Sequence, residues 1–280
     1  MKNKKTFSIL IHEKQVLNIF ILFFLLFLVV LPFLITFNLS LKNNFQFYNE
    51  RWTISPPFHV ENYFFASSIL WLYILNSLIY AGITALGVAI ISSWSGFVFS
   101  QGKFKGKNIL FWIVISGLML PGIMLLIPQF IIYKDLGFLN TRIVMILPYI
   151  VGGQIFGILL FRNFFDSLSD EFFEAAKIDG ANFFQMYYKI ALPLSKPITT
   201  TLMIITLLGV WGDVIWPSVS LTSNNLFPLA TGILSFNQGY GSAWGVLFAG
   251  YIVSSIPLII IFVFASKYFV AGLTSGAFKL

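Results

Sequence analysis

The sequence predicts an all-α, polytopic membrane protein with six transmembrane helices, both termini in the cytoplasm and a two-helix cytoplasmic loop. Three observations predict it. Hydrophobic residues make up 58% of the 280 positions and charged residues 10%, with a mean hydropathy of +0.88. A soluble domain carries about a quarter charged residues, so this chain lacks the charge to cover a water-facing surface. Apolar runs of spanning length recur along the chain, and about 20 apolar residues are what a helix needs to cross the hydrocarbon core. The basic residues fall unevenly between the connections, as they do when topology holds them on the cytoplasmic side.

The first span is Leu17 to Phe37, 21 residues, about 31 Å as a helix. That is a full crossing with no clear small-residue cleavage site after it, so an uncleaved first helix is expected behind a cytoplasmic segment, residues 1–16. A polar, turn-rich stretch follows, Asn38 to Asn62, with Pro56 and Pro57 near its end. The next uncharged run, Phe64 to Gly102, is too long for one upright helix and too short for two with a turn. Its span is expected at Leu72 to Phe99, with Phe64 to Trp71 as an interfacial lead-in. The third span, Ile109 to Tyr133, is interrupted by Pro121 and Pro128, and proline bends a membrane helix and frees backbone carbonyls. Ile143 to Phe161 is the fourth span, Ile198 to Trp216 the fifth and Trp244 to Ser266 the sixth. The membrane domain then covers residues 17–268, with the inner loop 162–196 inside it, and a cytoplasmic tail covers 269–280.

Charge orients these spans. Thirteen of the 17 basic residues lie on one side: Lys2, Lys4, Lys5, Lys14, Lys103, Lys105, Lys107, Arg162, Lys177, Lys189, Lys196, Lys267 and Lys279. Only Lys42, Arg51, Lys134 and Arg142 lie on the other. The positive-inside rule makes the first side cytoplasmic. Topology thereby accounts for the net charge of +7, and no nucleic-acid partner is implied. Trp211, Trp216 and Trp244 fall near the outer boundary, where interfacial tryptophans sit. The outer loop, Pro217 to Ala243, carries no charge and is expected to pack on the protein or on a partner.

Much chemistry is excluded. Cysteine is absent, which removes disulfides, thiolate metal sites and cysteine nucleophiles. His12 and His59 lie far apart with no ligand spacing and read as solvated loop histidines, so no metal is expected. Gly102 to Lys107 is not a phosphate-binding loop, because its glycine gap is wrong and no Ser or Thr follows. No HExxH, GxSxG or GxGxxG run occurs.

The long inner loop, Arg162 to Lys196, holds half of the ten acidic residues: Asp166, Asp170, Glu171, Glu174 and Asp179. Asp170, Glu171 and Glu174 suit the first turns of a helix, at the positive end of its dipole. Phe172, Ala175 and Ala176 form an apolar stripe at helical spacing. Gly180 is placed to end that helix. Asn182 is placed to cap a second, with Phe183, Tyr187 and Ile190 on one face, and Leu192, Pro193 and Pro197 end it. Two readings of the pair follow. It is an interfacial connector on lipid, though such segments are normally rich in Lys and Arg; or it docks on a basic protein partner, which an acid-rich start suits.

The run Glu174-Ala175-Ala176, then Gly180 after three residues, then Ile190-Ala191-Leu192-Pro193 after nine more resembles the EAA motif of binding-protein-dependent ABC importers. Asp179-Gly180-Ala181 resembles its sugar-permease version. Asn76-Ser77, Phe104 to Lys107, Leu120-Pro121, Pro128-Gln129, Leu136 to Thr141 and Val270 to Ala277 extend the likeness over most of the chain. Together they resemble the maltose and multiple-sugar class, and within it the shorter membrane subunit. The resemblance implies that the two helices dock on a nucleotide-binding subunit. Glu174 would pair with a basic group there, Ala175 would allow close approach, and Gly180 would form the bend. It also implies a second permease subunit, two ATPase subunits that bind the ATP and magnesium, and an extracytoplasmic sugar-binding protein. This chain itself would hold no cofactor. The setting would be the lipid bilayer of a prokaryotic cytoplasmic membrane, and the tail from Gly272 to Lys279 would reach toward the ATPases. One departure stands at Gly212, where such permeases usually show Asn between the tryptophan and the acid.

For a translocation pathway the candidates are Asn76, Ser77, Gln154, Trp211 and Asp213. Asp213 is the only acid at a span edge, and intramembrane charge often marks a pathway; a solvated or structural acid is the other reading. Interhelical hydrogen bonding is the alternative for the polar side chains. Gly153 with Gly157, Gly241 with Gly245 and Gly272 with Gly276 have small-residue packing spacing, which chance also produces in a chain with 21 glycines. The reading is a non-catalytic permease subunit for sugars or oligosaccharides. Import of another solute, such as glycerol phosphate or peptide, and a polytopic enzyme or channel are the alternatives.

Overall fold

Helices are the only regular structure among the residues described by the computed structural model, which are the backbone of 2–277 and the side chains of 15 and 18–263. In chain order they are α1 (Lys2–Ser40), α2 (Asn44–Asn49), α3 (Glu61–Gln101), α4 (Lys107–Ser116), α5 (Leu126–Asp135), α6 (Leu147–Asp166) and α7 (Asp170–Ile178). Then follow α8 (Phe183–Met186), α9 (Leu192–Leu194), α10 (Lys196–Gly212), α11 (Ile215–Ser220), α12 (Leu229–Tyr240) and α13 (Trp244–Ala277). Four stretches are long and apolar enough to cross a membrane alone: Asn18–Ser40, Glu61–Gln101, Ile143–Asp166 and Trp244–Val263. Two bent pairs, Lys107–Met119 with Gly122–Asp135 and Phe183–Leu194 with Lys196–Gly212, bring the number to as many as six when each pair is counted as one span. The side chains of α1 from residue 18 to 30 are all exposed, as on a helix apolar all round with lipid for its solvent.

Several boundaries differ from expectation. The second span is one unbroken helix of 41 residues, so Phe64 to Trp71 continue the helix. Nothing in that run stops one, since it lacks proline and ends only at Gly102. The third span is bent by 94° between its halves. Pro121 alone makes the break; Pro128 sits in the first turn of α5, where its missing N–H has no intrahelical partner to lose. The fourth span starts with a 3₁₀ turn at Ile143–Met145 and runs on to Asp166. The fifth ends at Gly212, so Trp216 lies in a separate short helix. Trp211 and Trp216 are buried at 5% and 4% exposure; they are core residues and do not form an interfacial belt.

The chain divides into two compact units, residues 1–69 with 236–255 and residues 70–235 with 256–280. In the first, Asn43 and Gln46 form a reciprocal capping box at the start of α2, and Trp244 stacks on Phe47 at 4.7 Å. Asn62 Nδ2 donates to the carbonyls of Ser40 and Lys42 at 2.9 and 3.1 Å. His59 is paired through Nδ1 with Glu61 at 2.5 Å, a correction to the solvated histidine expected there. Gly245 is required by close approach, since a Cβ would fall 1.9 Å from the Lys42 carbonyl oxygen.

The second unit is organised by the crossing of α3 and α6. Glycines alternate between the two helices. A Cβ on Gly153 would meet Val88 at 2.7 Å, one on Gly157 would meet Ser92 at 2.6 Å, and one on Gly96 would meet Phe161 Cβ at 2.5 Å. Small residues of this kind let helix backbones approach where lipid supplies no hydrophobic drive for association. The spacing of Gly153 and Gly157, common by chance, is here a contact surface. Phe99, Phe111 and Ile158 extend it to α4.

Gly96→Val should therefore lower stability by about 1–3 kcal/mol, because neither Phe161 Cβ nor the nearby Arg162 backbone has a flexible end to move. Gly152, with no atom within 4 Å of an added Cβ, should accept Ala with no such loss. Thermal unfolding of the purified proteins in detergent checks both, at roughly 2–4 °C per kcal/mol.

Candidate functional site

The acid-rich loop folds into two short helices joined by a glycine. Ser169 caps α7, its Oγ accepting from the Glu171 N–H at 3.3 Å, with Asp170 and Glu171 in the first turn. At the other end Gly180 has φ +79°. The Gly180 N–H donates to the Lys177 carbonyl at 3.0 Å and the Ala181 N–H to the Ala176 carbonyl at 2.9 Å. Those two bonds are the Schellman pattern, which places a left-handed residue just past the helix end. Asn182 and Gln185 then form a capping box. The helix continues through a π turn at Tyr187–Ala191 into α9. Pro193 does not end it: the proline lies just past the π turn, and the helix runs on to Leu194. The break comes at Ser195, where the axis turns by 73° into α10, with Pro197 in the first turn.

The buried face of α7 is Phe173 and Ala176, a correction to the stripe expected at Phe172, Ala175 and Ala176. Burial of Phe173 places the opposite face, at 100° per residue, on Glu171, Glu174, Ala175 and Ile178. All four are exposed, and Ile178 is 86% exposed. Asp179 and Gly180 are exposed beside them. Phe183, Tyr187 and Ile190 do share the inward face of the second helix, with Met186 and Ala191. Leu192 and Ala181 pack against the same cluster, and Pro193 is exposed.

The inward faces are held by the last turns of α3. The Phe97 ring lies 5.6 Å from Phe165, 5.9 Å from Phe173, 4.8 Å from Phe183 and 5.4 Å from Tyr187. Trp94 packs on Phe183, Phe184 and Tyr187, and Ser93 Oγ shares a hydrogen bond with the Tyr187 hydroxyl at 2.7 Å. The inward faces thus pack on the last turns of α3, and the outward face stays exposed.

The remaining candidates form two separate groups. Asn76 Nδ2 donates to the carbonyls of Asn225 and Phe227 at 2.8 and 3.1 Å. Ser77 Oγ accepts from the Leu229 N–H at 2.7 Å, and the Tyr80 hydroxyl donates to the Leu226 carbonyl at 3.0 Å. These side chains clamp the uncharged loop onto α3. Asp213 lies past the end of α10. Its Oδ1 accepts from the N–H groups of Ile215 and Trp216 at 2.8 and 3.3 Å, capping α11, and its Oδ2 accepts from the Tyr149 hydroxyl at 2.8 Å. Gln154 lies on α6 with both amide atoms buried and unpaired among the described residues. Trp211 is buried in the last turn of α10. Tyr80 and Tyr149 were not among the sequence candidates. A tyrosine inside an apolar run is the only trace either leaves, and such residues also anchor interfaces. The tail from Gly272 to Lys279 lies outside the residues whose side chains are described.

The model of the family described as "Binding-protein-dependent transport system inner membrane component" matches residues 90–275. The "Probable ABC transporter permease protein YurM" of Bacillus subtilis is 34% identical, covering 92% of this chain and 86% of its own length. The arabinooligosaccharides transport system permease protein AraQ of Halalkalibacterium halodurans is 33% identical, covering 77% of each chain. Among solved structures, a chain from a bacterial ABC transporter involved in the import of the acidic polysaccharide alginate has the same fold, with a TM-score of 0.77 at 23% identity over 91% of this chain and 95% of that one.

Gly180→Ala meets no atom within 4 Å, so its effect is conformational alone. Left-handed backbone costs a Cβ-bearing residue roughly 1–2 kcal/mol. Limited proteolysis at the loop should speed up by the corresponding five- to thirty-fold if that strain opens the turn, while Phe97→Ala, at about 3–5 kcal/mol, should release both helices.

Proposed function

We propose that this chain, which belongs to the family of binding-protein-dependent transport system inner membrane components, is the permease subunit of an ATP-driven importer for sugars or oligosaccharides. The sugar class is supported by the 33% identity to an arabinooligosaccharide permease subunit. The observation that carries the mechanism is the outward face of α7. It is exposed, acidic at Glu171 and Glu174, small at Ala175, apolar at Ile178, and fixed from behind by Phe97, Phe173 and Tyr187. A face so built suits a groove on a partner with a basic rim and an apolar floor.

In this reading the partner is one of two nucleotide-binding subunits, which hold the ATP and magnesium and do the hydrolysis; this chain is non-catalytic and binds no cofactor. The coupling element comprises Glu174, Ala175, Ala176, Asp179, Gly180, Ala181, Ile190, Leu192 and Pro193. Glu174 pairs with a basic side chain, Ala175 lets the surfaces close, and Ala176 with Ala181 seats the turn on the core. Closure of the ATPases moves α7 and α8. Phe97 and Ser93 pass the motion to α3, and the 73° junction at Ser195 passes it to α10. A second permease subunit completes the pathway. A sugar-binding protein delivers the solute on the outside, and both termini face the cytoplasm of a prokaryotic cell. Of the pathway candidates, Asp213 and Gln154 keep unused hydrogen-bonding capacity, whereas Asn76 and Ser77 hold the outer loop and Trp211 fills the core.

The test is charge reversal at the exposed face. Glu174→Lys should cut the ATPase recovered with the purified membrane subunits by at least about tenfold, equivalent to 1.4 kcal/mol, and abolish ATP-driven sugar uptake. Reversal of the facing basic residue on the ATPase should restore both. Wild-type recovery and uptake in Glu174→Lys would remove the docking assignment.

A further inference from the structure

We infer that this chain carries a subsite of its own for one neutral sugar ring, in the cavity where Asp213, Tyr149 and Gln129 come together. The inference rests on the sugar-import reading above and adds a place of contact to it. The cavity has a volume of about 270 Å³. That lies just below the roughly 300–1,000 Å³ of pockets that bury drug-sized ligands, so it suits one ring unit and not a chain of them. Three spans wall it. Gly122, Ile123 and Gln129 come from the segment after the 94° break, Tyr149 from the start of α6, and Asp213 with Trp216 from the segment past α10.

Hydrogen-bonding capacity defines the ligand. A carboxylate has about four acceptor positions, and Asp213 uses three of them, on Ile215, Trp216 and Tyr149. The Tyr149 hydroxyl donates to Asp213 and retains its own acceptor capacity. Gln129 makes no side-chain hydrogen bond among the described residues, leaving two donors and an acceptor on the cavity wall. Ile123 and Trp216 supply apolar surface. Alternating donors and acceptors beside an apolar wall match the hydroxyl rim and C–H face of a sugar. No Lys, Arg or His lines the cavity, so a phosphate or carboxylate would go unpaired. The one carboxylate already takes three donors, which disfavours a bare cation. The site also explains two irregularities. Broken backbone at membrane depth is tolerated where it lines protein or a polar cavity, and both the break at Pro121 and the extended residue Asp213 border this one.

Because the chain has no cysteine, Ile123→Cys places a unique thiol of this subunit at the site. The importer complex, reconstituted in nanodiscs without ATP or binding protein, would be labelled with N-ethylmaleimide and this chain read by mass. Maltose, arabinotriose and glycerol 3-phosphate are the probes, each also tested for uptake by the wild type. A neutral sugar that is transported should slow labelling at least fivefold, and Gln129→Leu in the same background should raise the sugar concentration needed by about tenfold. Ile131→Cys, on α5 away from the cavity, should label at an unchanged rate. Protection that is missing, equal in Gln129→Leu, equal at Ile131→Cys, or given by glycerol 3-phosphate instead would overturn the subsite while sugar import stands. If the wild type takes up neither sugar, the import reading falls and the subsite with it.

Discussion

The close crossing of α3 and α6 is the constraint on which the larger unit depends. Lipid tails offer a leucine the same surroundings as another leucine, so spans associate through packing and hydrogen bonds and not through escape from water. Gly153 and Gly157 on one helix and Gly96 on the other remove the side chains that would hold the backbones apart. Close approach then sets the positions of everything α3 carries. Ser93, Trp94 and Phe97 stand one to two turns before its end and become the mount for the inner loop. Asn76, Ser77 and Tyr80 stand four turns earlier and hold the uncharged loop by its backbone.

The inner loop combines a local design with a remote anchor. Ser169, Gly180 and Asn182 terminate the short helices through bonds made within a few residues, so their ends are defined without help from the rest of the chain. Helices of nine and twelve residues, Asp170–Ile178 and Phe183–Leu194, are nevertheless too short to persist alone in water. The aromatic cluster around Phe97 supplies the stability they lack. This division leaves the outward face free of structural duty. Glu174, Ala175 and Ile178 make no contribution to the core, and their chemistry is available to a partner.

Asp213 shows a similar economy on the other group. Gly212 ends α10 and the carboxylate restarts the chain as α11 by accepting two backbone donors. The same side chain ties that junction to α6 through Tyr149. A neutral residue would cap less strongly, since charge-assisted bonds are the stronger ones. Gly212, where the resemblance implies Asn, sits beside a carboxylate whose local role is clear from geometry.

Much of this was legible in the residues alone. Run lengths pointed to a helical membrane protein of up to six spans, because the bilayer demands a fixed length of apolar helix and leaves few alternatives. The order of Glu174, Gly180 and Asn182 located the paired helices, because caps and left-handed turns act within a few residues, whereas Pro193, expected to end the second, lies inside it. What lay beyond the sequence depended on distant neighbours. Which side of α7 is buried, Phe173 and Ala176 instead of Phe172 and Ala175, was decided by where Phe97 stands. Asn76 and Ser77 read equally well as pathway or packing until residues 225–229 came to lie against them. Trp211 and Trp216 looked interfacial because apolarity is the same signal in a core and at a membrane edge, and only packing separates the two. Tyr149, sixty-four positions from Asp213, had no periodicity or spacing to connect it with that carboxylate; the meeting of three spans is a property of the tertiary fold, in which side chains distant along the chain share one cavity.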